Sequence, residues 1–149
     1  MICAFFGHKD SPESVKPLLE AAIRNIIEHY PDTTFYVGHN GNFDRMVLSV
    51  LKKLSAEVPE ISFVVILAYL PSGNCYNGLP TIYPEGIECV PKRYAISYRN
   101  NWIVKQADTI ICYITHDFGG AAQFVKKAEN NGKTVYNVAD LREDIDFFV

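Results

Sequence analysis

Two glycines separate an apolar run from a helical pattern in ADTIICYITHDFGGAAQFVKKAENNGKTVYNV, residues 107–138. The run 109–114 gives way to His116-Asp117-Phe118-Gly119-Gly120, and helix-forming residues follow. A strand–glycine–helix turn exposes the first N–H groups of the helix, whose dipole favours an anion. Glycine also lets a phosphate approach where a Cβ would clash. The same pair serves a tight turn equally well, and from sequence both readings stand. A second such turn is Gly38-His39-Asn40-Gly41-Asn42-Phe43-Asp44. Its N–H groups and Asn40 can hold a phosphate or ribose, with Asp44 taking a sugar hydroxyl. Asn42 can instead cap the helix, and the two roles are compatible.

Other chemistry-bearing residues are more scattered. Arg99 in Arg99-Asn100-Asn101-Trp102 suits bidentate phosphate recognition, and the tryptophan offers a stacking face. The plain alternative is a surface arginine beside a core tryptophan. His8, His39 and His116 come from separate turns without metal-ligand spacing, so no metal is expected, and hydrogen bonds to ligand or backbone are. The chain lacks G-x-S-x-G, a P-loop, and G-x-G-x-x-G after its first strand. No cofactor is therefore expected.

The elements that must position these residues alternate. Residues 2–7, 34–37, 62–68, 109–114 and 133–138 read as strands, apolar on both faces. Amphipathic helices fill the intervals. The first starts at Asp10-Ser11-Pro12-Glu13, which carries capping-box chemistry, and ends before Pro31. Another is built on Phe43, Met46, Val47, Val50, Leu51 and Leu54; weaker ones cover 92–106 and 120–130. Residues 71–91 hold four prolines and three glycines and read as a functional loop. The expected fold is a doubly wound α/β sandwich of three layers, with a mainly parallel sheet of about five strands. In such sheets ligands bind beyond the carboxyl ends of the strands. Gly7-His8, Gly38-His39-Asn40 and His116 to Gly120 all fall on that edge.

Composition sets the outer bounds. A chain of 149 residues suits one domain, 1–149. A net charge of −3 argues against an extended nucleic acid as partner, though not against a local anion site. No apolar stretch approaches the ~20 residues of a membrane span, and no secretory signal is visible, so a cytoplasmic protein is expected. Cys3 and Cys112 lie in strand runs, and Cys75 and Cys89 flank the long loop, where they could pair only under oxidising conditions.

FFGHKD, YVGHNGNFDRMVLSVL, YRNNWIVKQADTIICYI and GGAAQFVKKAENNGKTVYNV together resemble the SLOG superfamily, and within it the small YpsA-like proteins. The superfamily also holds the lonely-guy phosphoribohydrolases and DNA-processing protein A. The resemblance covers nearly the whole chain. It implies a Rossmann-like fold that binds nucleotides or ADP-ribose- and NAD-like ligands, as sensor or sequestering module. Some members cleave an N-glycosidic bond of a nucleoside monophosphate, using a P-G-G-x-G-T-x-x-E turn and an upstream arginine. Gly119 and Gly120 match the phosphate-binding glycines and Arg99 matches the arginine. Phe118, Ala122, Gln123 and Lys126 replace the proline, third glycine, threonine and glutamate. A lysine there opposes an oxocarbenium-like transition state, so the usual mechanism does not transfer, and Asp117 or Asp44 would have to substitute. The nucleoside deoxyribosyltransferases are similar in size and fold and would use a glutamate such as Glu85 or Glu88. The expected ligand set is Gly7, His8, Gly38, His39, Asn40, Asp44, Arg99, Asp117, Gly119 and Gly120. A homodimer formed through the helices is compatible with the fold.

Overall fold

The computed structural model describes residues 1–69, 76 and 78–141. Strands and helices alternate along it: β1 (Ile2–Gly7), α1 (Lys16–His29), β2 (Thr34–Val37), α2 (Gly41–Glu57), β3 (Ser62–Ile66), β4 (Thr81–Ile82), α3 (Lys92–Gln106), β5 (Thr109–Tyr113), α4 (Gly120–Asn130) and β6 (Thr134–Asn137). The strands form one sheet in the order β4-β3-β2-β1-β5-β6, and every neighbouring pair is parallel. The chain walks outward from β1 to β4 and then returns to β1's other side. The strand order therefore reverses between β1 and β5, which opens a crevice at their carboxyl ends.

Alternation along the strands builds the layers. Cys3 and Phe5 of β1 point to one face, where α1 and α2 bring Leu19, Ile23, Met46 and Leu51. Ala4 and Phe6 point to the other, covered by Ile103 and Val104 of α3 and Val125 and Ala128 of α4. The central strand is thus apolar on both faces, as the continuous run 2–6 requires.

The structure corrects several expectations. The sheet has six strands, not about five. β4 is only two residues long, too short to show a period, and sits inside the segment expected to be an unbroken loop. Residues 71–75 and 77 of that segment lie outside the described residues. No capping box forms at Asp10 and Glu13. A 3-10 turn over Glu13–Val15 precedes α1, the Ser11 hydroxyl donates to the His8 carbonyl at 2.6 Å, and Glu13 pairs with Arg45. The Asn131-Gly132 stop does form. Gly132, at φ 76°, donates its N–H to Glu129 O, and Lys133 donates to Ala128 O, each at 3.0 Å.

β1 meets α2 at one tight contact. A Cβ built on Gly7 would lie 2.2 Å from the Phe43 ring, which is itself 1% exposed. The glycine is what lets the first turn of α2 lie against the end of β1. Gly120 is the opposite case: its φ is not positive, and among the described residues a Cβ there would meet nothing within 4 Å. Gly7→Ala is therefore expected to destabilise by about 2 kcal/mol, because the buried ring cannot yield. Gly120→Ala should leave stability unchanged or raise it by up to ~1 kcal/mol. Thermal unfolding of the two variants checks the pair, and equal melting shifts would refute the assignment.

Candidate functional site

The βα turns after β1, β2 and β5 meet at the carboxyl edge. The turns after β1 and β2 are stitched together. Asn42 N–H donates to Lys9 O at 2.8 Å, and Asn42 Nδ2 donates to Ser11 O at 3.0 Å. Asn42 is therefore a strut between turns, not the expected helix cap. Gly41, at φ 88°, lies so close under Lys9 that a Cβ would come within 2.8 Å of its backbone.

Arg99 organises the β2 side. It projects from α3 and is 2% exposed, so it is not the surface arginine that the plain reading of the sequence expected. Its Nε donates to Asn100 Oδ1 at 2.9 Å, and its Nη1 lies 3.4 Å from Ile66 O. Among the described residues it makes no ion pair within 4 Å. A Cβ on Gly38 would lie 2.7 Å from Asp44 Oδ2 and 3.3 Å from Arg99 Nη1, so the glycine leaves the gap between these charges free. Asp44 Oδ2 accepts the Asn40 N–H at 3.0 Å, which satisfies one of the free donors at the N-terminus of α2.

Burial sets the charges of this cluster. It pushes the Asp44 carboxyl up to about 6, against the opposing pull of Arg99 and the Asn40 N–H. It pushes His39 down to about 4, helped by the Arg99 charge, so this imidazole is neutral at physiological pH. His39 Nε2 accepts the Ala68 N–H at 2.9 Å, which places its proton on Nδ1. Asn40 Nδ2 donates to the Tyr69 hydroxyl at 2.8 Å, and Asn40 Oδ1 is buried with no partner among the described residues. Tyr69 and Tyr76 set their rings edge-on to His39 at 5.2 and 5.8 Å. A cleft of about 170 Å³ opens here, lined by Gly38, His39, Asp44 and Tyr76 among others. A somewhat larger one, about 220 Å³, lies at the opposite edge of the sheet and is mostly apolar.

The β1–β5 side carries a column of rings. His8 is 7% exposed, and its Nε2 accepts the Thr115 N–H at 3.1 Å. His116 stacks on His8 with centroids 3.7 Å apart, and Phe118 stacks on His116 at 3.8 Å. These histidines are packed face to face rather than arranged around a common point. Burial, then the neighbouring His116, lowers the pKa of His8. Gly119 follows at φ 94°, ψ 168°, a conformation that only glycine adopts readily. Gly120 opens α4, whose N-terminus has no side-chain cap.

The ten expected ligand residues thus divide. Gly38, His39, Asn40, Asp44 and Arg99 come together. His8, Gly119 and Gly120 line the second group, with Asp117 exposed at its rim. Gly7 is committed to packing. Sequence reasoning missed Tyr69, Tyr76 and the exposed ring of Phe118; Tyr69 alone carried a signal, as the residue ending the third strand region. Trp102 stacks on Tyr36 of β2 at 5.8 Å and serves the core. Glu85 and Glu88 are exposed. Burial pushes the Cys3 thiol far up and that of Cys112 to about 12, so neither supplies a thiolate. Cys89 is a free, exposed thiol, and Cys75 lies outside the described residues.

No protein-family model matches the chain, and no curated protein matches it. Its fold is similar to that of DNA processing protein A (DprA) from Streptococcus pneumoniae, with a TM-score of 0.69 at 14% identity. The match covers 91% of this chain and 49% of that one, so the chain spans about half its length. At this identity the likeness establishes the Rossmann-like α/β fold. Among the described residues, no helix is long and apolar enough to cross a membrane.

The two shifted groups of the β2 cluster give opposite pH dependences. Between pH 6.5 and about 4 the unfolded chain binds more protons at His39, so this group loses stability as pH falls. Between 3.8 and about 6 the folded chain holds the extra proton on Asp44, so that group gains stability as pH falls. Asp44→Asn removes the second slope only. The variant is expected to exceed the parent by on the order of 2 kcal/mol at pH 7.5 and to match it near pH 4. Urea unfolding at a series of pH values reads this directly, and a pH-independent difference would refute it.

Proposed function

We propose that this protein binds a nucleotide or nucleotide-derived ligand, of the ADP-ribose or NAD type, at the carboxyl edge of its sheet. It acts as a sensor or sequestering module of the SLOG kind, as the resemblance in its sequence implies. The observation that carries this reading is Gly120. Among the described residues, neither its backbone conformation nor its packing calls for glycine. What the residue does provide is open access to the first N–H groups of α4, where a phosphate is favoured. Arg99 beside Gly38 supplies a second positive group facing the same edge, and Asn40 Oδ1 offers an acceptor to a ligand hydroxyl.

A second reading, N-glycosidic cleavage of a nucleotide, is favoured by one observation. Asp44 lines a cleft with its carboxyl raised to about 6, a value suited to a general acid near neutral pH. Asp117, the other carboxylate considered, is exposed.

Isothermal calorimetry with AMP, ADP-ribose and NAD separates the two. Saturating heat near one ligand per chain, lost in Gly120→Val, is the expected result. An anion beside Asp44 raises its pKa further, so affinity for a ligand reaching that cleft should strengthen as pH falls from 8 to 6. Heat persisting after each injection, with free base appearing, would replace the binding module by the enzyme. No heat from any of the three would overturn both.

A further inference from the structure

Phe118 is 67% exposed, the most exposed large apolar side chain among the described residues. It is nevertheless held in place. One face of its ring lies on His116, whose Nδ1 is 3.0 Å from the Phe118 carbonyl oxygen. His116 lies on His8, with 15° between the planes. His8 is fixed in turn, because its ring nitrogen accepts from Thr115 and its own N–H lies 3.4 Å from the Tyr113 carbonyl. The column therefore runs from a buried, anchored imidazole to an aromatic ring at the surface. A side chain left exposed for want of a better place has no such support. An aromatic ring fixed in advance loses little entropy when a second ring stacks on it.

We propose that Phe118 is a specificity-determining platform that stacks an aromatic base, so that the ligand of this edge is a nucleotide rather than a sugar phosphate. This rests on the nucleotide reading above and adds the group that recognises the base. The next residues along the chain are Gly119 and Gly120, so a base on Phe118 and a phosphate at the start of α4 belong to one ligand. Stacking of a base on an aromatic side chain contributes about 1–3 kcal/mol, and it tolerates any base because each has a π-face. A preference for bases in general over the bare sugar phosphate follows.

Calorimetry with AMP and with ribose 5-phosphate, on the parent protein and on Phe118→Ala and Phe118→Trp, tests this. The ring is exposed, so neither substitution disturbs the core. The parent is expected to bind AMP about tenfold more tightly than ribose 5-phosphate. Phe118→Ala should erase that preference and leave ribose 5-phosphate unchanged, and Phe118→Trp should restore it. Equal losses for both ligands, or no loss, would overturn the proposal. Adenosine, which has no phosphate, gives an independent readout by NMR. Saturable shifts of the Phe118 and His116 ring signals, absent in Phe118→Ala, support stacking even where neither phosphate ligand binds; their absence overturns it. Failure of both phosphate ligands, with adenosine shifts intact, falls on the phosphate half of the nucleotide reading alone.

Discussion

A guanidinium that is 2% exposed governs the arrangement of the carboxyl edge. Taking a charge out of water costs several kcal/mol unless its surroundings compensate. Around Arg99 the compensation is spread. A carboxylate on α2 lies across Gly38, Asn100 and the Ile66 carbonyl accept from it, and His39 is kept neutral. Among the described residues no contact ion pair neutralises Arg99. Burial raises Asp44 toward its neutral form even while the arginine pulls it down. The cluster's net charge therefore turns positive only as pH falls through about 6, where Asp44 takes up its proton and Arg99 keeps its charge. Gly38 is essential to this arrangement, because any side chain there would wedge between carboxylate and guanidinium.

Much of the fold was legible in the sequence because parallel strands buried on both faces leave continuous apolar runs. The runs at 2–7, 34–37 and 109–114 all fell within a residue of the observed strands. β4 was not legible. Two residues of an edge strand, both exposed, carry no pattern and are specified only by the strand beside them. The capping box failed for a related reason. Asp10, Ser11 and Glu13 have the right chemistry, but the local turn bond of Ser11 to His8 and the tertiary pairing of Glu13 with Arg45 win.

The site was legible as an edge, and less so residue by residue. Glycine spelled its position but not its reason. Gly7 answers to Phe43, Gly119 to its own backbone, and Gly38 to two charges, while Gly120 answers to nothing among the described residues. The shared pattern behind the SLOG resemblance divides in the same way. In Ala107-Asp108, the carboxylate of Asp108 accepts the Ile2 N–H at 2.8 Å and ties β1 to β5 at the far edge of the sheet. Gly132-Lys133 closes α4. Both are scaffold. The paired glycines lie at the crevice and the buried arginine at the carboxyl end of β2, so the pattern spans both scaffold and edge. Lys126 in place of a glutamate fits that division.

The two halves of the edge also limit the size of any ligand that uses both. β5 and β2 flank β1 on opposite sides. Adjacent strands lie ~4.8 Å apart, so the start of α4 and the Gly38–Arg99 group are separated by roughly 10 Å or more across the switch point. One phosphate cannot touch both. A ligand engaging Gly120 at one end and the Asp44–Asn40 acceptors at the other needs a phosphate and a distant hydroxyl-bearing group, as a nucleoside diphosphate sugar has. A mononucleotide would occupy one half and leave the β2 group without a ligand contact. On this argument the charge state of Asp44 reports the length of the ligand: only a molecule that reaches the β2 side changes its protonation.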